Sequence, residues 1–137
     1  MKPNLILGGN YKDHRGILKY NNKFDVSLVK RVYIIENVDT NFKRGWQGHK
    51  IEQRWFSAIF GKFKINLIKI DNWENPSKNL DKISFQISSK NMDVLHIPAG
   101  YVTSIQSMIK FSKLLVMADY NLGSVNDDYR YSSGYFN

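Results

Sequence analysis

The sequence has no cysteine among its 137 residues. That removes disulfide frameworks and thiolate zinc sites together, and it is compatible with a reducing compartment. Long apolar runs are missing too. The hydrophobic stretch nearest the N-terminus, Leu5 to Leu7, is too short for a signal-peptide core or a membrane span, so a cytoplasmic protein with no membrane partner is expected. Histidines number only three, His14, His49 and His96, which is poor material for a metal site built from converging imidazoles. His14 precedes Arg15-Gly16 and His96 lies just before Pro98, and both are read as structural or incidental. No Gly-x-Ser-x-Gly elbow is present, although a Ser-His-acid set elsewhere stays open. Gly8-Gly9 lacks the third glycine and the Lys-Ser or Lys-Thr of a phosphate-cradling loop. There is no polybasic run either. The net charge of +8 comes from scattered lysines and arginines; it favours polyanionic partners without choosing among nucleic acid, anionic lipid and nucleotide-linked substrates.

What is present fits one globular domain, with 42% hydrophobic residues in a single domain's length of chain. The patterning is all-β. Leu5 to Leu7 reads as a first strand broken by Gly8-Gly9-Asn10. Tyr11 to Gly16 reads as a loop into a strand at Ile17 to Tyr20, and Asp25 caps one helical turn. Arg31 to Glu36 is β-branched and aromatic. Gln53 to Phe60 and Lys62 to Ile70 are separated only by Gly61, as in a hairpin or bulged continuation. In the second, Phe63, Ile65 and Leu67 alternate with Lys64, Asn66 and Ile68, the period-two pattern of a strand with one buried face. Asp71 to Asp81 is a loop tip. Further strands at Ile83 to Ser88, Asp93 to Ile97, Val102 to Met108 and Lys113 to Asp119 complete the regular spacing of a sandwich or jelly-roll barrel.

The stretch richest in chemistry is Arg44-Gly45-Trp46-Gln47-Gly48-His49-Lys50. It reads as a glycine-flexed turn carrying cations for phosphate, an indole for an aromatic or sugar face, and an imidazole for moving protons near neutral pH; the plain alternative is an ordinary β-turn. An imidazole among tyrosines and cations at the turns of a β barrel suits proton transfer beside a carbonyl better than hydrolysis.

Several ordered motifs carry a family resemblance. Asp13-His14-Arg15-Gly16-x-Leu18 resembles the opening Asp-x-Arg-Gly motif of the nucleotide-sugar cupins, which include dTDP-4-dehydrorhamnose 3,5-epimerases and dTDP-4-keto-6-deoxyglucose 3,4-ketoisomerases. Lys30 to Ile35 followed by Lys43-Arg44-Gly45-x-x-x-His49-Lys50 is similar to the WxcM-like ketoisomerase branch, where an Arg-Gly-x-His-x-His-Lys segment carries the catalytic pair. Ile97-Pro98-Ala99-Gly100 matches the cupin Pro-x-Gly turn. Val116 to Tyr120 and Asp127-Asp128-Tyr129-Arg130 resemble that branch's last strand and acidic-aromatic ending. The likeness runs from Leu7 to Phe136.

The resemblance implies a single-domain, cupin-type jelly roll over residues 1 to 137 that isomerises a nucleotide-diphosphate sugar, dTDP-linked in the family, without cofactor. Two positions depart from the pattern. Gln47 stands where the branch has the first His of His-x-His, and Thr103 where metal cupins place a His, so no catalytic metal is expected. The implied reaction moves a ketone from C4 to C3 through an enediol. His49 is the expected base, with Tyr33 and Tyr101 as candidate acids that have packing as their alternative. Gln47 holds a sugar hydroxyl but cannot relay a proton. Arg15 and Arg44, from the two Arg-Gly motifs, are the expected pyrophosphate contacts, with an ion pair to a carboxylate such as Asp13 as the alternative. Trp46 either stacks on the base or hexose or fills the barrel mouth. Lys50 and Arg54 support the anion. A 3,4-ketoisomerase leads, ahead of a 3,5-epimerase and of a binding module silenced by the change to Gln47; a nucleic-acid binder has no motif behind it. The apolar first strand has an edge to cover, so a homodimer that exchanges its N-terminal strand is expected.

Overall fold

The computed structural model describes residues 1–137. Period-two patterning is realised as twelve strands. In chain order they are β1 (Asn4–Ile6), β2 (Gly9–Asp13), β3 (Gly16–Tyr20), β4 (Arg31–Ile35), β5 (Lys43–His49), β6 (Arg54–Phe60), β7 (Lys62–Lys69), β8 (Lys82–Ser88), β9 (Val94–Ile97), β10 (Tyr101–Ser107), β11 (Lys113–Ala118) and β12 (Tyr129–Arg130). A single 3₁₀ turn, Val26–Leu28, is capped as expected, Asp25 accepting from the Ser27 amide at 2.9 Å. No helix is long and apolar enough to cross a membrane.

Ten of the strands form two five-stranded sheets, β1-β9-β6-β11-β4 and β12-β5-β10-β7-β8, packed face to face as a jelly roll, and β2 and β3 pair separately. Alternation sends one set of side chains from each strand between the sheets. From β7 these are Phe63, Ile65 and Leu67; from β10, Tyr101 and Ile105; from β6, Phe56 and Ala58; from β11, Leu114 and Val116. Burial of this set supplies the main stabilisation, at about 25 cal/mol for each Å² of apolar surface removed from water. The outer faces are covered locally. Phe24 and Val29, flanking the 3₁₀ turn, lie over Trp55, Val94 and Met117, while the C-terminal Phe136 closes over Trp46, Ile68 and Val102.

Three local expectations change. Tyr11 to Gly16 is no loop: it supplies β2 and the turn of a hairpin whose register pairs Gly9 with Tyr20 and Asp13 with Gly16, because alternating residues on both sides of a tight turn pair more readily than they stay solvated. Arg44 to Lys50 is no turn either, since residues through His49 belong to β5, hydrogen-bonded between β10 and β12. Its glycines serve close approach. A Cβ at Gly48 would stand 2.2 Å from the Tyr101 carbonyl oxygen, and one at Gly45 2.4 Å from that of Thr103. The first strand runs one residue earlier than Leu5 to Leu7, at Asn4–Ile6, and lies on β9 of the same chain.

Candidate functional site

The open end of the sandwich is a cleft of about 640 Å³, within the range of small-molecule sites. It continues into a pit of about 30 Å³, large enough for a water or the end of a ligand. Tyr33, Ile35, Gln47, His49, Glu52 and Arg54 line both.

Register decides which parts of the chemistry-rich stretch reach this space. Along β5, His49 faces Tyr101 and Gln47 faces Thr103, then one extra residue intervenes and Arg44 faces Ile105. Cross-strand partners share a face. Tyr101, Thr103 and Ile105 point inward, so the bulge at Gly45-Trp46 restores Arg44 to the side that holds Gln47 and His49. Trp46, next to Gln47, points outward by plain alternation. Its ring packs edge-on against Phe136, with centroids 5.4 Å apart, and stays buried outside the cleft.

His49 is fixed from behind. Its Nδ1 lies 2.8 Å from the Asp127 main-chain oxygen. A carbonyl oxygen only accepts, so Nδ1 carries the proton and Nε2 keeps its lone pair. Burial drives the His49 pKa below 6.5, and the Arg54 charge adds to this; the Asp127 carbonyl and the Glu52 and Asp127 carboxylates oppose it without prevailing. The imidazole is thus neutral at neutral pH, as a base requires.

The loop from His49 to Arg54 is pinned by one carboxylate. Asp127, itself buried, accepts from the amides of Lys50, Ile51 and Glu52 at 2.8 to 2.9 Å. This bears on metal binding, because ligand atoms of His49, Glu52 and Asp127 all lie within 4.8 Å of one another. Both Asp127 oxygens are committed to amides, and Glu52 pairs with Arg54 at 3.0 Å, so the cluster is already satisfied by protein donors. These residues do not fit a cation.

Gln47 donates from Nε2 to Asp128 at 2.9 Å, which orients the amide and leaves Oε1 as an acceptor. Burial raises the Asp128 pKa, but hydrogen bonds from Gln47 and Arg130 together outweigh it and keep the carboxyl ionised below the usual range. Tyr33 and Tyr101 reach the pit from opposite sheets. Of the four arginines that line the wider cleft, Arg130 pairs with Asp128 at 3.0 Å and Arg54 with Glu52, while Arg31 and Arg44 make no ion pair.

Of the nine residues singled out in the sequence, His49, Tyr33, Tyr101, Gln47, Arg44 and Arg54 converge on the cleft and pit. Arg15, Trp46 and Lys50 do not line either. Arg15 sits on the β2–β3 hairpin with its guanidinium on the Asp13 carboxylate at 2.7 Å, the ion-pair alternative. Lys50 follows the end of β5 and is exposed. Sequence reading missed Arg31, which lies over the Tyr33 ring at 4.5 Å and lines the cleft. Its signal was the alternation Arg31, Tyr33, Ile35. The structural use of Asp127 had no local signal, being a contact across more than seventy residues. His96 lies on the outer face, stacked on Trp55 at 5.4 Å with Nε2 2.7 Å from Gln53 Oε1.

A jelly roll whose mouth holds a neutral imidazole, two tyrosines and arginines is a cupin-type barrel equipped for proton transfer on an anionic ligand. The chain belongs to the family described as FdtA, WxcM-like, C-terminal, which it matches over residues 3–137. No curated protein sequence matches it. Among solved structures it resembles QdtA, a sugar 3,4-ketoisomerase from Thermoanaerobacterium thermosaccharolyticum in complex with TDP, with 25% identity and a TM-score of 0.71 over 97% of this chain and 90% of that one. A 3,4-ketoisomerase from Helicobacter canadensis has the same fold, with 21% identity and a TM-score of 0.72 over 96% and 92%. So does a dTDP-4-dehydrorhamnose 3,5-epimerase from Bacillus anthracis with TDP and pyrophosphate bound, with 11% identity and a TM-score of 0.72 over 91% and 76%. These neighbours are isomerases.

Proposed function

We propose that the protein is a nucleotide-sugar isomerase that moves the ketone of a dTDP-4-keto-6-deoxyhexose from C4 to C3 by acid-base catalysis, in the making of surface-polysaccharide sugars. The observation that carries this is His49, an imidazole held neutral with Nε2 unprotonated at the mouth of a sugar-sized cleft. In support, QdtA has been seen with TDP, and a single-site mutant of it with TDP-4-keto-6-deoxyglucose.

In this reading His49 Nε2 removes the C3 proton. The C3–H pair becomes the C3=C4 bond and the C4 carbonyl pair moves onto oxygen. The proton on O3 then passes to O4, and His49 returns its proton to C4. Gln47 Oε1 accepts from a sugar hydroxyl, and Tyr33 or Tyr101 donates to an oxygen of the enediol. Arg44 and Arg31 at the cleft wall take the pyrophosphate. A homodimer exchanging the N-terminal strand is part of the proposal. It is supported by the exposed apolar side chains of Leu7, Tyr11, Ile17 and Leu18 at and beside the hairpin, and a monomer in sedimentation at micromolar concentration would remove it.

The test is NMR of dTDP-4-keto-6-deoxyglucose in D₂O with wild type beside His49→Asn. Deuterium incorporation with the ketone moved to C3, lost in the variant, is the expected result. Exchange at C3 and C5 with the ketone unmoved would assign 3,5-epimerisation instead, and dTDP binding without exchange would assign a catalytically silent module.

A further inference from the structure

Arg54 occupies an unusual position for a cation. It is on the inner face of β6, in line with the core residues Phe56 and Ala58, and it is only 6% exposed. Burying a guanidinium there is costly unless its donors are satisfied. Only one nitrogen is. Nη1 donates to Glu52 Oε1 at 3.0 Å and to the Gln53 carbonyl at 3.2 Å. Nε is buried without any partner, and Nη2 makes no hydrogen bond. The side-on edge of the guanidinium, its Nε–H and Nη2–H pair, is therefore unused, on a side chain that lines both pit and cleft alongside His49.

Arg15 in the same molecule shows what this edge suits. There Nε meets both oxygens of the Asp13 carboxylate, at 3.3 Å to Oδ1 and 3.1 Å to Oδ2, and Nη2 donates to Oδ2 at 2.7 Å. Two neighbouring oxygens in one plane, sharing a negative charge, are the natural occupant. Phosphate is the other such occupant, but Arg54 is deep, beside Phe56 and Ile97, whereas Arg44 and Arg31 stand at the wider part of the cleft.

We propose that the free Nε/Nη2 edge of Arg54 holds the two vicinal oxygens, O3 and O4, of the enediolate formed during isomerisation, with Glu52 fixing the guanidinium from its other side. This rests on the isomerase reading above. When His49 takes the C3 proton, the C3–H electron pair forms the C3=C4 bond and the negative charge arises on O4. The fork stabilises that charge and holds O3 and O4 in one plane, so the O3 proton passes directly to O4 and the charge moves to O3. The C3=O bond then re-forms as C4 takes the proton back from His49. Atoms and charge balance with no further reactant. The arrangement also supplies what Gln47 cannot, since a directly transferred proton needs no relaying side chain.

The role is oxyanion stabilisation, and it belongs to the transition state more than to the bound substrate. Arg54→Lys keeps the charge and loses the fork. The double variant Glu52→Gln with Arg54→Met removes both members of the pair, so neither is stranded as a lone buried charge. Both are compared with wild type for kcat, KM, C3 deuterium exchange and dTDP affinity. A fall in kcat of about 10²-fold or more in each variant, with exchange falling in parallel and with KM and dTDP affinity within about threefold, is expected. Turnover within threefold of wild type in either variant overturns the assignment. So does a loss of dTDP affinity in Arg54→Lys matching its loss of turnover, which gives the fork to phosphate or to folding. Wild type that binds dTDP but neither moves the ketone nor exchanges deuterium overturns the isomerase reading and this role with it, a result distinct from an active wild type with unaffected variants.

Discussion

The Nδ1 of His49 and the main-chain oxygen of Asp127 lie 2.8 Å apart, so a residue beyond the last long strand sets the tautomer of an imidazole on β5. The Asp127 carboxylate meanwhile takes the three amides that follow His49. Carbonyl and carboxylate of one residue thus fix both the base and the loop leading to Arg54. Replacing Asp127 by Asn puts an NH₂ donor against amide donors. The expected cost is about 2–4 kcal/mol, from charged hydrogen bonds lost and amides left buried. Turnover should fall with it. A urea midpoint equal to wild type would show that the loop is held by something else.

The direction of the His49 shift sets a pH dependence. Because burial and Arg54 keep its folded pKa below 6.5, the base stays unprotonated to lower pH than a free histidine, and the acid limb of kcat/KM should fall below pH 6.5. The same shift acts on stability. Between the folded pKa and 6.5 the unfolded chain binds the proton and the native one does not, so this contribution is complete above pH 6.5 and declines as pH falls through that window. His49→Asn should flatten the decline in chemical-denaturation curves measured across it; an unchanged slope would contradict the assignment.

Tyr33 lines both pit and cleft, whereas Tyr101 lines the pit and not the wider cleft. If a tyrosine hydroxyl meets the enediol, Tyr33 is the better placed. Tyr33→Phe is expected to lower kcat by roughly 10²-fold and Tyr101→Phe by less than about tenfold, with dTDP affinity kept in both. The reverse order would move the acid to Tyr101, beside His49 on the neighbouring strand.

Gly48 lies between Gln47 and His49, and a methyl group there would collide with the Tyr101 carbonyl oxygen and the Val102 Cα, at 2.2 and 2.6 Å. Backbone atoms of a central strand cannot swing aside. Gly48→Ala should cost about 3 kcal/mol and shift Gln47 and His49 together, reducing turnover in the fraction that remains folded. Thermal unfolding that matches wild type would refute the close-approach argument.

Arg44 is exposed and its only side-chain hydrogen bond is one of 3.4 Å to Asn37, so its charge is free for a ligand. Arg44→Gln should weaken dTDP binding by about tenfold and make the affinity less sensitive to salt, while kcat at saturation changes little. Calorimetric titration at two ionic strengths measures both. Equal affinity and equal salt dependence in wild type and variant would place the pyrophosphate elsewhere, with Arg31 the next candidate.

Much of this was legible in one dimension. Alternation in Lys62 to Ile70 identified the buried set Phe63, Ile65 and Leu67, and the ordered Arg-Gly, Pro-x-Gly and terminal Asp-Asp motifs pointed to the family. Local reading failed where glycine and polarity mimic a turn. Arg44 to Lys50 is a strand because Gly45 and Gly48 admit the backbone of β10, a demand set by a partner more than fifty residues away. Arg15 carries the same Arg-Gly signature as Arg44, yet the hairpin places it on Asp13 and outside the cleft.

By itself, then, the sequence determined the all-β class, the residues of the inner faces, and the imidazole, tyrosines and cations available for chemistry, because alternation and residue type are local properties. Only the tertiary structure decided which of them meet. The one-residue bulge in β5 brought Arg44 inward, while alternation left Trp46 outward under Phe136. The Asp127 contacts chose the proton-bearing nitrogen of His49, and pairing with Glu52 left one edge of a buried arginine unused. Each of these depends on register and on contacts between distant strands, which no short stretch of sequence encodes.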